Sequence, residues 1–243
     1  HKKLELQNLA VEELTSVIAI GPVKAIELVN EHNIQSVADL KNRVKKGTIQ
    51  VNDKIILGLK YHGKYCTKIN RNIIRKIEDK IGSYMKELSS DIKWMICGSY
   101  RREKSHSSDI DLLIQHKDVI TGDDVSNSHV LSEIIMMLKS HNFISDDITS
   151  SDVKTKYMGF CTYKNTIYRL DIRLVPKQSW YTAIAYFTGS YQHNIIMRNK
   201  AIKMGMKLNE YGLFMANGSR IPINTEKDIY KVLKMPWLEP TQR

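Results

Sequence analysis

The chain has 243 residues, a formal net charge of +11 and an ordinary globular composition, 42% hydrophobic and 26% charged. No apolar run is long enough to cross a bilayer, His1-Lys2-Lys3-Leu4 carries no secretory signal, and Cys66, Cys97 and Cys161 lack metal-ligand spacing. A membrane-spanning helix, a zinc module and a disulfide scaffold are thereby excluded, a reducing compartment is expected, and a polyanion becomes the first partner to consider.

Residues 4–46 read as three short helices. Leu9, Leu14, Val17 and Ile18 recur near helical spacing, Val23, Ile26, Leu28 and Val29 follow Gly21-Pro22, and Ser36 is placed to cap the third helix. The run from Thr15 to Ala25 has two readings. It is either a plain helical hairpin with a glycine C-cap and proline at N1, or an apolar-x-apolar-Gly turn whose amides hold a DNA phosphate without reading sequence. The neighbouring charge favours DNA: from Lys41 to Lys80 twelve Lys or Arg stand against three acids. Gly47, Asn52, Gly58 and Gly63 break that stretch, so it is not one long membrane-binding helix.

Lys54 to Tyr61 and Ile69 to Leu88 read as helices, the latter with Ile73, Ile77, Ile81 and Met85 at four-residue steps. Trp94 to Cys97 is a strand ending at Gly98, and Ile110 to Ile114 is a second. Val130 to Leu138 is a helix, and Tyr157 to Tyr163 with Thr166 to Val175 form a hairpin around Lys164-Asn165. Trp180 to Phe187 and Asn194 to Met204 are helices parted by Thr188-Gly189-Ser190. Lys207 to Phe214, with the Asn217-Gly218 turn, suggest a last hairpin, and Glu226 to Leu233 a short helix. The order predicts an α+β chain of three modules: a helical one over 1–60, a mixed-sheet one over 61–177, and a smaller α+β one over 178–243.

The sharpest pattern is Gly98-Ser99, nine residues, then Asp109-Ile110-Asp111. Alternation on a strand puts both carboxylates on one face, where they repel unless a cation lies between them. A third, Asp171, lies on the strand Arg169-Leu170-Asp171-Ile172-Arg173. If the two strands are neighbours, three carboxylates converge as a ligand set for two divalent ions in phosphoryl transfer. An isolated Asp-x-Asp is more often a strand with a polar outer face, so the weight comes from the Gly-Ser spacing and the apolar flanks.

These motifs, with Leu170-Asp171-Ile172-Arg173-Leu174, Tyr186-Phe187-Thr188-Gly189-Ser190, Glu226-Lys227-Asp228-Ile229 and Glu239-Pro240, occur in the order that resembles family X DNA polymerases, the polymerase beta-like enzymes. The resemblance covers almost the whole chain and implies a helix-hairpin-helix DNA-binding module, a nucleotidyltransferase palm and a nucleotide-selection module. The family's N-terminal lyase domain would precede Leu4, so the chain resembles a compact or trimmed member. Its Lys, Ile and Asn usage favours a viral source, and the resemblance implies a nuclear location, or a cytoplasmic one for a viral protein.

The resemblance implies that Asp109 and Asp111 hold the nucleotide-bound metal, and that Asp171 joins them around the catalytic metal. Two Mg²⁺ ions are implied, with Mn²⁺ as a substitute. Ser99, Arg102 and Ser107 would hold the triphosphate. Tyr186, Phe187 and Gly189 would line the sugar, and Asn194 would contact the incoming base in the minor groove. Arg198 would touch the template strand, and Arg173 would switch onto a metal-binding aspartate. Ala19, Gly21, Val23, Lys24 and Lys156 would contact DNA, and the carbonyls of Thr15, Val17 and Ile20 would hold a monovalent cation. The implied substrates are gapped or primer-template DNA and deoxynucleoside triphosphates, handled by a monomer without a membrane.

Four positions depart from the family pattern. Ile56 stands where an arginine for the outer phosphate often precedes the apolar-Gly-Leu-Lys-Tyr segment, and Ser108 replaces a small glycine. Tyr191 replaces an acid beside the incoming base, and Ala19 replaces a hairpin glycine, which is tolerable with a negative φ. Among alternatives, a template-independent terminal transferase would need a longer loop than Lys164-Asn165. A poly(A)- or CCA-adding enzyme would lack the helix-hairpin-helix, and an inactive DNA-binding scaffold would not need all three aspartates.

Overall fold

The computed structural model describes residues 1–149 and 153–243, and these fall into two compact units, His1–Tyr65 and Cys66–Arg243. The first unit is helical: α1 (Lys2–Thr15), α2 (Pro22–His32), α3 (Val37–Lys46) and α4 (Asp53–Tyr61). Local chemistry sets its boundaries. The Ser36 hydroxyl accepts the Asp39 N–H, the Asn52 side chain accepts the Ile55 N–H, and Gly47 ends α3 at φ 76°. Leu14, Leu28, Ile34, Leu40 and Ile55 fill the core, each contributing about 1.5–3 kcal/mol by leaving water.

The turn between α1 and α2 differs from expectation at two residues. Gly21 is not a C-cap: at φ −88° it is the N-cap of α2, ahead of Pro22, and a Cβ there would meet no atom within 4 Å. The left-handed residue is Ala19, at φ 74°, which corrects the expectation of a negative φ. The reason is packing. α4 approaches the turn so closely that a Cβ on Gly58 would overlap the Ile18 carbonyl oxygen, one residue before Ala19, and the Ile20 N–H closes the turn on the Val17 carbonyl at 3.1 Å. Ala19→Gly is therefore expected to raise the unfolding free energy by about 1 kcal/mol. A higher urea midpoint at unchanged slope would bear this out, and a lower midpoint would exclude strain at Ala19.

The second unit contains β1 (Ile69–Asn70), α5 (Arg71–Leu88), β2 (Ile92–Ile96), α6 (Gly98–Arg101), β3 (His106–Ser107), β4 (Ile110–His116), α7 (Gly122–Ser126), α8 (Val130–Ser140), β5 (Ile144–Asp147), β6 (Lys156–Tyr163), β7 (Thr166–Leu174), α9 (Trp180–Thr188), α10 (Tyr191–Lys203), β8 (Lys207–Asn209), β9 (Gly212–Phe214) and α11 (Glu226–Val232). Its main sheet has the order β2-β4-β7-β6-β5. The β4–β7 pair is parallel and the other pairs are antiparallel. The mixed sheet with helices makes the chain α+β.

Several boundaries move for identifiable reasons. α5 starts at Arg71 because Asn70 caps it, while Ile69 and Asn70 pair with Ser107 and His106. Its buried stripe is Ile74, Ile77, Ile81 and Met85, with Ile73 at the flank. α10 starts at Tyr191, not Asn194, because the Ser190 hydroxyl accepts the His193 N–H. The last hairpin turns at Glu210-Tyr211. Asn217-Gly218 instead makes a separate turn beside the Phe214–Arg220 bridge. Lys164 and Asn165 both take positive φ, 46° and 64°, as a two-residue hairpin turn requires.

One face of the sheet packs Ile110, Leu112, Ile114, Leu170 and Ile172 with the apolar stripes of α5 and α8. Cys97 and Leu113 pack with Trp180, Ala183 and Ile184 of α9. A third apolar cluster, built on Met197, Ala201, Leu213, Ile229 and Leu233, holds the C-terminal elements together.

Candidate active site

The parallel pairing of β4 and β7 sets Asp111 directly opposite Asp171. Ile110 and Leu112 point into the core, so alternation turns Asp111 and the preceding Asp109 to the other side. One oxygen from each of Asp109, Asp111 and Asp171 lies within 4.8 Å of the others. β4 and β7 are neighbours, through a register that no local pattern encodes.

Burial, and then the neighbouring carboxylates, push Asp111 up to about 7; burial and then Asp171 also raise Asp109. The positive side is thinner. Arg169 Nη2 donates to Asp171 Oδ1 at 2.7 Å, with both side chains about nine-tenths buried. The sequence motifs do not single out Arg169, although strand alternation places 169, 171 and 173 on one face. Arg173 lies over the Phe187 ring, 4.4 Å from its centroid, and its buried Nε has no hydrogen-bond partner among the described residues. Lys156 sits opposite Arg173 in the β6–β7 register, and burial followed by Arg173 lowers its pKa. A compact, half-buried set of hard oxygen donors with excess negative charge fits a divalent cation.

This excess has a consequence for stability. Between the ordinary value of 3.8 and about 7, the folded chain holds a proton on Asp111 that the unfolded chain has lost. Without divalent metal, stability therefore rises as pH falls through 7 toward 4. Asp111→Asn is expected to raise the metal-free melting temperature at pH 8 by several degrees and to flatten this slope, at about 2–4 °C per kcal/mol. Melts from pH 5 to 8 with and without EDTA check it; a lower melting temperature for the variant at pH 8 would count against the repulsion.

Around the aspartates, Gly98 is required twice. Its φ is 65°, and a Cβ would come within 3.2 Å of Asp111 Oδ2. Ser99 Oγ and Ser107 Oγ are 2.5 Å apart, bringing two predicted phosphate-contacting hydroxyls together. Arg102 Nη1 donates to the Thr188 carbonyl at 2.6 Å, and the same nitrogen lies 3.1 Å from where a Cβ on Gly189 would be. The Tyr186 and Phe187 rings meet edge-on at 5.0 Å, and Asn194 Nδ2 donates to the Tyr186 carbonyl at 2.8 Å. Asn194 and Arg198 line a small cavity with Tyr186.

The predicted residues of the first unit lie at the α1–α2 turn and the start of α2. Val17 O accepts the Ile20 N–H at 3.1 Å just beyond Thr15, Val23 is 83% exposed, and Lys24 pairs with Glu27 at 3.3 Å.

Residues 68–177 match the family model of the DNA polymerase beta palm, and residues 183–243 that of the DNA polymerase beta thumb. Among curated proteins, DNA polymerase lambda of Rattus norvegicus is 28% identical over 97% of this chain and 42% of its own length. DNA polymerase lambda of Arabidopsis thaliana is 29% identical over 93% of this chain and 45% of its own. The chain thus spans less than half the length of these relatives. Among solved structures, the ternary P/T complex of Leishmania infantum polymerase beta superimposes with a TM-score of 0.87 at 29% identity, covering 98% of this chain and 99% of that one. Its ternary gap complex gives 0.88 at 28% identity, covering 98% and 90%. With both family models matched in chain order around this aspartate cluster, the chain belongs to the family X DNA polymerases.

Proposed function

We propose that the chain is a template-directed DNA polymerase that adds deoxynucleotides to a primer 3′-hydroxyl and fills short gaps in DNA repair. The observation that carries this is the convergence of Asp109, Asp111 and Asp171 through the β4–β7 register in a family X chain. The three carboxylates would hold two Mg²⁺ ions, or Mn²⁺, which when bound would supply charge stabilisation for the phosphoryl oxygens and a lowered pKa for the 3′-hydroxyl. In the transfer the 3′-oxygen bonds the α-phosphorus while the bond to pyrophosphate breaks. Arg169 orients the Asp171 carboxylate, and Arg173 is a switch free to leave Phe187 for an aspartate.

Ser99, Arg102 and Ser107 bind the triphosphate, Tyr186, Phe187 and Gly189 the sugar, and Asn194 the base edge. Lys156 and Arg198 contact DNA. In the first unit Ala19, Gly21, Val23 and Lys24 meet DNA phosphates, and the carbonyls of Thr15, Val17 and Ile20 hold a monovalent cation. The working modules are 1–60, 61–177 and 178–243. The substrates are gapped or primer-template DNA and deoxynucleoside triphosphates, as the P/T and gap complexes of the Leishmania infantum relative support. The protein acts as a monomer inside the cell.

Primer extension on gapped, nicked and template-free DNA with Mg²⁺ or Mn²⁺ tests the reading. Templated extension is expected on the gap. Equal extension without template would make the chain a terminal transferase, a reading that the two-residue Lys164-Asn165 turn does not favour.

Sugar choice follows from the same placement. A wall of backbone and ring at Tyr186-Phe187 rejects an added 2′-hydroxyl by clash, so deoxynucleotides should be favoured over ribonucleotides by more than about tenfold. Incorporation efficiencies of the two sugars on one template measure this, and equal values would refute the placement of the segment.

A further inference from the structure

The end of α6, the end of α9 and the start of α11 meet around one buried carboxylate. Glu226, the first residue of α11, is 7% exposed. Arg101 holds it with both terminal nitrogens, Nη2 on Oε1 and Nη1 3.1 Å from Oε2. Arg243 Nη1 reaches the same Oε2 at 2.7 Å from the other side, with a side chain that has no exposed surface and lies over the rings of Tyr230 and Trp237. The Arg101 guanidinium reaches further. Arg101 Nη1 also donates to Thr188 Oγ1 at 2.8 Å, and the next residue, Arg102, donates to the Thr188 carbonyl. Thr188 is fully buried and precedes Gly189; Arg101 closes the four-residue helix that opens with Gly98-Ser99.

Burying a carboxylate is costly even when it is paired, and apolar side chains of similar volume often hold such a junction equally well. Cohesion alone therefore does not account for the triad. A guanidinium fork adds direction: two or three fixed donor vectors on one carboxylate leave little freedom in how α6, Thr188 and α11 are spaced. We propose that Glu226 is a positioning residue, which, held between Arg101 and Arg243, fixes Thr188-Gly189 against Ser99–Arg102 and so sets the spacing between the sugar and triphosphate contacts. The proposal rests on the polymerase reading for its kinetic effect but not for its structural one.

The test compares wild type with Glu226→Gln, Arg101→Met and the triple variant Arg101→Met/Glu226→Met/Arg243→Met. Three readouts are taken: amide exchange at Gly189 and Arg102, KM and kcat for one deoxynucleotide, and melting temperature. Each single change is expected to speed exchange at both amides and to raise KM about tenfold, with DNA affinity within twofold. The triple variant is expected to recover the melting temperature, because no member of the triad is left as an unpaired buried charge, while fast exchange and high KM persist. Exchange and KM that return to wild type together with stability would reduce the triad to a fold support and overturn the proposal. So would single variants whose exchange is unchanged. Because exchange needs no catalysis, a wild-type protein that fails to extend primers defeats the polymerase reading and leaves the exchange result to decide the positioning role.

Discussion

Asp171→Ala is expected to lower primer extension by at least about 10³-fold in kcat while DNA affinity stays within about twofold. Asp171 stands opposite Asp111 in the parallel register and donates one of three converging oxygens. Removing a ligand from such a site forfeits several kcal/mol of transition-state charge stabilisation, and each 1.4 kcal/mol is tenfold in rate. No DNA contact is assigned to this side chain, which is 7% exposed. The change also strips Arg169 of its carboxylate partner, leaving it the carbonyls of Gly159 and Leu170 and the Phe160 ring. Asp171→Asn keeps a hydrogen-bond acceptor for Arg169 and separates the loss of a metal ligand from loss of folding. Single-turnover extension, fluorescence anisotropy and a melt on both variants decide. Extension near the wild-type rate by either variant would remove Asp171 from the metal site.

The second large effect concerns salt. Of the twelve basic residues from Lys41 to Lys80, Lys45, Lys46, Lys54, Lys60, Lys64, Lys68, Arg75, Lys76 and Lys80 are exposed. Others are occupied: Arg43 pairs with Asp39, and Arg71 lies over the Tyr100 ring. If six to ten phosphates are neutralised, DNA affinity should fall about 10³–10⁵-fold between 50 and 200 mM salt, with a log–log slope near 0.9 per phosphate. Lys45→Glu and Lys60→Glu together should reduce that slope by about two. Anisotropy titrations across a KCl series measure both, and a nearly flat slope would take this basic stretch off the DNA.

Local chemistry made much of the molecule readable in advance. Ser36 caps its helix, Lys164-Asn165 turns its hairpin in two positive-φ residues, and Gly98-Ser99 with Asp109-Ile110-Asp111 marks the strand that carries Asp111 and directly follows Asp109. Each is settled within a few residues, by one hydrogen bond, one backbone conformation or one period of alternation. Elements that short-range pattern does not specify were missed. β1 and β3 are two-residue strands that exist only because they pair with each other, and β5 is an edge strand held by β6.

The sequence by itself determined the α+β class, the helical first unit, the aspartate triad as candidate ligands and the basic stretch. Apolar period, capping residues and charge are local properties that survive any arrangement of the elements. Tertiary structure alone decided that β7 lies parallel beside β4, so that Asp171 meets Asp111 across sixty residues of chain. It also decided that Arg169 holds Asp171, that Ala19 takes a left-handed conformation, and that Glu226 closes on Arg101 and Arg243. These contacts join segments whose separation carries no periodic signal. Their partners are selected by which faces must leave water together and which buried charges must be paired once they have done so.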